Sequence, residues 1–456
     1  MFSFLYSEQK KMRQNAENWL EIADRVYKYR RDLLKVDQVN RLLAATDELK
    51  FLLKKKEDAK RVKAGVEVLE GVLRETGGRI YPVSSMMENV EFFLVAAIVI
   101  LGLRAYFVQP FKIPTNSMWP SYYGMTAEVF QPGQEPGIVN KIARTVTLGA
   151  SNYSVTAPKE GEVLIPTYAD SIGNLHVIYS ERAGRSMLVF PTTIREYTFS
   201  IGGQMVPITV PSEWAQSNFD DVLREAFFKK ENSLYSALNN PVLKNQPFEQ
   251  STMVVQQGNR RGEVRVTWVP LGKKAHAGEK VLSFDILTGD LLFVDRFTYN
   301  FFPPNVGAGF VFRTDNIKDL MNDPTEGGAG KYFIKRLVGV PGDTLEIKEP
   351  AKTITDGGAP LTANDGQLYR NGKPIEGSSA FGKNSRKDGS YPGYEAKGSL
   401  AFGQIVNVPN NSYFAMGDNS PKSKDSRFWG FVPEKDVVGR PLFIYYPLTK
   451  RWGPAQ

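Results

Sequence analysis

The stretch "KYFIKRLVGVPGD", Lys331 to Asp343, sets a lysine inside an apolar run that ends on a proline-glycine turn. Phe333, Ile334, Leu337 and Val338 surround Lys335, and a short run of this kind stopped by Pro341 and Gly342 reads as a β-strand. Alternation along the strand puts Lys335 on one face and Arg336 on the other. Two readings of Lys335 stay open. Withdrawn from water, a lysine can serve as a base, because lowering its pKa from about 10.4 to about 7 costs roughly 4 kcal/mol, which apolar burial can supply. An exposed strand lysine is the plainer reading, and these residues alone favour it.

The same β texture extends on both sides. From about Gln109 onward, runs such as "HVIYS", "EVRVTWVPLG" and "LLFVDRF" are punctuated by Gly, Pro, Asn and Asp. With 28 Phe, 20 Tyr, 40 Gly and 28 Pro, the composition points to a β-rich body with many turns. One helix interrupts it near residues 217–228, where Ser212 or Ser217 can cap "SNFDDVLREAFF" and Asp220 completes a capping-box pattern. "TDGGAPLTANDGQ" and "GSSAFGKNSRKDGSYPGYEAKGS" read as long, mobile surface loops. There is no internal repeat.

Residues 1–80 differ. They are rich in Lys, Glu, Leu, Ala and Val, and Val62, Val66, Leu69 and Leu73 recur at helical spacing. One or two long amphipathic helices are expected, with Gly77, Gly78 and Pro82 as the stop. "FFLVAAIVILGLRAYFV" follows, Phe92 to Val108. Its apolar core, Phe92 to Leu103, is shorter than the roughly 20 residues a bilayer requires. Continued through Arg104, whose guanidinium can snorkel to the headgroups, it makes a transmembrane helix over residues 90–108. The segment lies too deep in the chain for a cleaved leader and is expected to stay as an anchor. Arg74 and Arg79 upstream outweigh Lys112 downstream, which orients the N-terminus toward the cytoplasm.

Composition removes several chemistries. The chain has no cysteine, so thiol catalysis, disulfides and cysteine-ligated metals are excluded. Its 2 histidines, His176 in "GNLHVIY" and His276 in "KKAHAGE", stand near no serine motif or carboxylate cluster and read as a strand residue and a loop residue. No metal and no cofactor are expected. The net charge of +8 is spread through interleaved acids and bases, so an anionic membrane surface suits it better than nucleic acid. A serine seeking a base here has lysine as the known substitute for histidine. "KIPTNSMWPSY", Lys112 to Tyr122, offers one: Pro114 and Pro120 stiffen the backbone around Ser117. Such a serine suits a nucleophile or an ordinary loop, and on local sequence alone the loop is favoured.

Four ordered stretches sharpen this: "PFKIPTNSMWPSY", "GDLLFVDRF", "FIKRLVGVPGD" and "GDNSPKSKDSRFWGFVP". Following an apolar helix, they resemble the boxes of type I signal peptidases, and "LYRNGKPI" resembles that family's hairpin between the last two boxes. The match spans about residues 92–123 and 289–442. It implies a mainly β fold: an antiparallel-sheet catalytic domain of residues 109–128 and 283–456, a large α+β insertion at 129–282, one transmembrane helix and the N-terminal helical region. It also implies a membrane-anchored serine endopeptidase that cleaves signal peptides from exported preproteins, on the outer face of a bacterial cytoplasmic membrane.

Carried over by position, Ser117 resembles the nucleophile and Lys335 its general base. Ser423 resembles the serine that orients the lysine amine, and the Thr115 side chain with the Ser117 N–H resembles the oxyanion hole. Phe111, Ile113, Phe333 and Ile334 resemble the walls of shallow pockets for small side chains, while Asp290, Asp343, Asp418, Asp425 and Arg427 take structural places. The sequence departs from the family at Asn116, where glycine is usual, at Ser420-Pro421, where Arg-Asp is usual, and in the length of the insertion. Two other readings are self-cleaving repressors, disfavoured by the apolar helix, and a non-catalytic membrane-bound scaffold whose inserted domain binds partners. Oligomeric state is not legible.

Overall fold

A computed structural model of the chain describes residues 8–82, 85–186, 190–214, 216–244, 248–258, 260–321, 330–350 and 362–455. These fall into two compact units, one ending at Gly102 and one beginning at Leu103.

In the first unit, α1 (Glu8–Arg30), α2 (Val36–Lys54) and α3 (Ala59–Thr76) pack around one core. Val62, Val66, Leu69 and Leu73 are buried, as their spacing requires. The expectation of one or two helices is corrected to three. Lys56 adopts a left-handed φ of 57°, and the Asp58 carboxylate accepts from the Arg61 N–H at 3.1 Å, which caps α3 and separates it from α2. The next helix, α4 (Ser85–Tyr106), contains the 18-residue window Asn89–Tyr106, long and apolar enough to cross a membrane. None of that window is buried.

The second unit is mostly antiparallel β. Its largest sheet runs in the order Val108–Lys112, Leu291–Asp295, Val437–Tyr446, Gly309–Arg313, Tyr332–Gly339, Ser412–Met416 and Val432–Pro433. Lys335 therefore lies on an interior strand, opposite Phe310. A second sheet closes on itself: Gly161–Ala169 pairs with both Arg260–Ala275 and Phe190–Ile201. The ring is completed through Gln250–Gln257 and Ser180–Ser186, which meet in parallel at Glu181 and Gln257. Its interior is filled by Val163, Ile165, Tyr197, Phe199 and Trp214, with Phe219 and Val222 of the helix Gln216–Phe227. That helix begins at Gln216, so Ser217 lies inside it rather than at its cap. His176 sits on a strand and His276 in the turn after one, as read from the sequence.

Residues 377–399 are not a mobile loop. Ser378 caps a helix, Ser379–Arg386, and Phe381, Asn384 and Tyr394 are buried. The Asn384 amide donates to the Asp418 carbonyl at 3.0 Å and Lys387 pairs with Asp365, so long-range partners order a stretch whose Gly, Ser and Lys content suggested mobility. Within "TDGGAPLTANDGQ", residues 355–361 lie outside the described residues, and Asp365 opens the strand Asp365–Arg370.

Asp220, on the helix Gln216–Phe227, is pushed up to about 6, first by burial and then by the neighbouring Asp221 charge. A carboxyl whose folded pKa exceeds its unfolded value makes the native state bind more protons, so stability falls as pH rises from about 4 to about 6 and is level above that. Asp220→Asn should remove this slope, a difference of up to about 3 kcal/mol, in denaturant unfolding compared at pH 4.5 and pH 7. Parallel pH profiles in both proteins would refute the assignment.

Candidate active site

Two backbone segments have to meet for Ser117 to approach Lys335. The first runs from the strand Val108–Lys112 through Ile113 and Pro114 to a 3-10 turn, Asn116–Met118. Asp290, fully buried, fastens it. Its backbone carbonyl accepts from the Ile113 N–H at 2.9 Å, and its carboxylate accepts from the Tyr123 N–H at 2.8 Å and from Arg451 at 2.8 Å. Asn116 supplies a second tie, its side-chain oxygen accepting from the Gly124 N–H at 2.9 Å. The Asn419 N–H and side-chain amide donate to the Ser117 and Asn116 carbonyls, each at 3.0 Å. Asn116, a departure from the family's glycine, thus bonds its own loop, and Asn419, which the sequence reading did not single out, pins the turn.

The Lys335 amine and the Ser117 hydroxyl lie 2.5 Å apart. Lys335 is only 4 % exposed, although Ser117 is half-buried at the cleft wall. Phe333 lies below the amine, its ring centroid 5.7 Å from Nζ. Gly417 brings the last box against this pair: a Cβ there would stand 2.2 Å from Ser423 Oγ and 2.3 Å from the Ser117 carbonyl oxygen. Ser423 is buried, but its hydroxyl has no hydrogen-bond partner among the described residues, so the expected bond to the lysine is not made in this structure. Thr115 is exposed and its hydroxyl makes no cap bond to the turn it precedes.

The remaining carboxylates hold the frame. Asp425 and Arg427, both fully buried as side chains, pair at 2.8 Å, and the same guanidinium donates to the Ser420 and Ser423 carbonyls. Ser420, the other departure, accepts from Arg427 at 2.9 Å through its hydroxyl. Asp343 accepts from the Val340 N–H, Arg370 and Asn371; burial alone would raise its pKa, but these donors outweigh it and hold it below the usual carboxylate range. Arg336, on the opposite face from Lys335, forms a two-pronged pair with Asp418 at 2.7 and 2.6 Å. Burial would depress its pKa, but the Asp418 charge and hydrogen bonds raise it. The Ser121 hydroxyl donates to the same carboxylate at 2.5 Å.

Ser117 and Lys335 open into one cleft of about 1290 Å³, with Phe111, Ile113, Phe333 and Ile334 on its wall. Phe111 meets Tyr332 edge-on at 5.0 Å, and Phe111 and Ile334 pack against the core that holds Ile113 and Met118. Tyr179, Asn218 and Asp221 line the same cleft. No group of three or more Asp, Glu or His able to hold a metal occurs among the described residues.

Residues 282–446 match the model of the family described as signal peptidase, peptidase S26. This region belongs to the signal peptidase family. The resemblance to type I signal peptidases is shared by named relatives. A probable signal peptidase I-1 from Synechocystis is 31% identical over 165 residues, 36% of this chain and 66% of its own length. A signal peptidase I from Bacillus licheniformis is 34% identical over 120 residues, 26% of this chain and 53% of its own. The chain thus spans between half and two thirds of these signal peptidases. A solved signal peptidase I from Enterococcus faecalis V583 is 27% identical, covering 30% of this chain and 97% of its own, with a TM-score of 0.19.

Proposed function

We propose that the chain is a membrane-anchored serine endopeptidase that removes signal peptides from exported preproteins with a Ser117–Lys335 dyad. The observation that carries this reading is a buried amine 2.5 Å from a serine hydroxyl that opens onto a cleft walled in part by Phe111, Ile113, Phe333 and Ile334. Loss of water around an amine favours its neutral form, the form able to accept a proton. Lys335 Nζ takes the Ser117 proton as Oγ bonds to the carbonyl carbon that follows a small residue. The Ser117 N–H and the Thr115 hydroxyl donate to the resulting oxyanion; one such donor is typically worth about 2.7 to 4 kcal/mol. The C–N bond then breaks, Lys335 returns its proton to the departing amine, and a water deprotonated by Lys335 releases the acyl group. Ser423, buried with an unbonded hydroxyl, orients the lysine once substrate fills the cleft.

α4 anchors the enzyme, with residues 1–80 in the cytoplasm and the catalytic domain on the outer face of a bacterial cytoplasmic membrane. Anchoring matters because the apolar segment of the substrate is itself in the bilayer, so confinement raises its effective concentration. Residues 129–282 are an insertion into the catalytic domain of 109–128 and 283–456. Supporting this, Val129 pairs directly with Phe284, so the chain leaves and re-enters at neighbouring positions. The full chain purified in detergent is expected to cut a precursor after its signal peptide without added metal. Intact precursor after prolonged incubation would leave the non-catalytic scaffold as the reading.

A further inference from the structure

The helix Ile138–Leu148 turns its polar side inward. Arg144 donates to the buried Asp285 at 2.8 Å and to Glu128 at 2.6 Å, and Lys141 donates to Asn152 at 3.1 Å. On the opposite side Ile138, Val139, Ile142 and Val146 are 61–79% exposed, and none of the helix's residues is buried. At 100° per residue these four fall within one 100° arc, with Arg144 facing away. A soluble surface helix has the reverse arrangement.

The stripe does not stand alone. Carbonyls of Thr145 and Val146 accept from the Tyr446 hydroxyl, and that of Thr147 from the Leu448 N–H, which brings exposed Leu448 beside it. From there the strand register carries an apolar outer face across the sheet. Tyr445 stacks on Phe293 at 4.4 Å, Phe293 lies opposite Pro110, and Val108 is two residues back on the same face. Phe107, the residue after α4, stacks on Phe297 at 5.4 Å.

We infer that the helix Ile138–Leu148 lies in the outer surface of the lipid bilayer, its stripe immersed at the level of the headgroup–acyl boundary. This rests on the anchoring by α4 proposed above. The occupant is lipid because the face is continuous with the end of the apolar helix, and the helix's two cations are engaged by Asp285, Glu128 and Asn152 on the protein side, which leaves the outward stripe without charge.

The absence of cysteine makes the test direct. Single variants Ile142→Cys, Val146→Cys and, away from the stripe, Asn140→Cys carry a nitroxide in the full chain, reconstituted into phosphatidylethanolamine–phosphatidylglycerol vesicles. The ratio of oxygen to nickel-chelate collision should be about 10-fold higher at 142 and 146 than at 140. Equal ratios in protein that still floats with the vesicles would overturn the inference and leave the anchoring intact. Protein that fails to float would overturn both. Spin–spin broadening that grows with the protein-to-lipid ratio would assign the face to a second copy and also overturn it. Ile142→Glu with Val146→Glu should slow cleavage of a bilayer-embedded precursor about 10-fold while leaving a soluble peptide substrate unaffected.

Discussion

Lys335→Met is expected to lower precursor cleavage by at least about 10⁴-fold while leaving the chain folded. Methionine keeps much of the length and apolar volume of the lysine stem, so the space beside Phe333 stays filled, but it has no atom able to take the Ser117 proton. Lys335→Arg should be as inactive, because a guanidinium stays protonated and cannot act as the base. Ser117→Ala should match both, and the double variant Ser117→Ala/Lys335→Met should be no slower than either single one, since the two groups act as a unit. Initial rates of precursor cleavage, with unfolding curves as the control for folding, decide it. A Lys335→Met enzyme within about tenfold of the parent would remove the dyad.

Parts of this molecule were legible because they depend on nearest neighbours. The stripe Val62, Val66, Leu69 and Leu73 was legible from its spacing alone, and the β texture after Gln109 from its punctuation. The Asp58 cap that divides α2 from α3 was equally local, yet its signal is one residue among many charged ones. Ser117 and Lys335 could be named only through ordered motifs, since the two residues that meet stand 218 positions apart in the chain. What escaped the sequence depends on remote partners. Asn116 looked like a lost glycine and instead bonds Gly124; residues 377–399 looked mobile and are held by Asp418 and Asp365. The ring of strands between residues 161 and 275 depends on Gly161–Ala169 finding two neighbours, which no alternation pattern announces.

Asp418→Leu should destabilise the protein by about 3–5 kcal/mol, the cost of leaving a buried guanidinium without its partner. Arg336 and Asp418 are each 2% exposed, so little water can replace the missing charge. Arg336 would keep its bonds to the Gly307 carbonyl at 2.7 Å and to the Ser121 hydroxyl at 3.2 Å, but neither partner supplies the missing negative charge. The double variant Arg336→Met/Asp418→Leu should recover most of that loss, because removing both charges also removes their desolvation cost. Activity should not recover with it. Arg336 adjoins Lys335 in sequence, and the Ser121 hydroxyl bonded to Asp418 is four residues past Ser117, so the pair couples the two reacting segments. With that tie gone, a displacement on the order of 1 Å costs about 10²-fold in turnover. Unfolding free energies and kcat measured on the same three proteins separate the effects. Should the double variant regain stability and turnover together, the pair fills space and does not position the dyad.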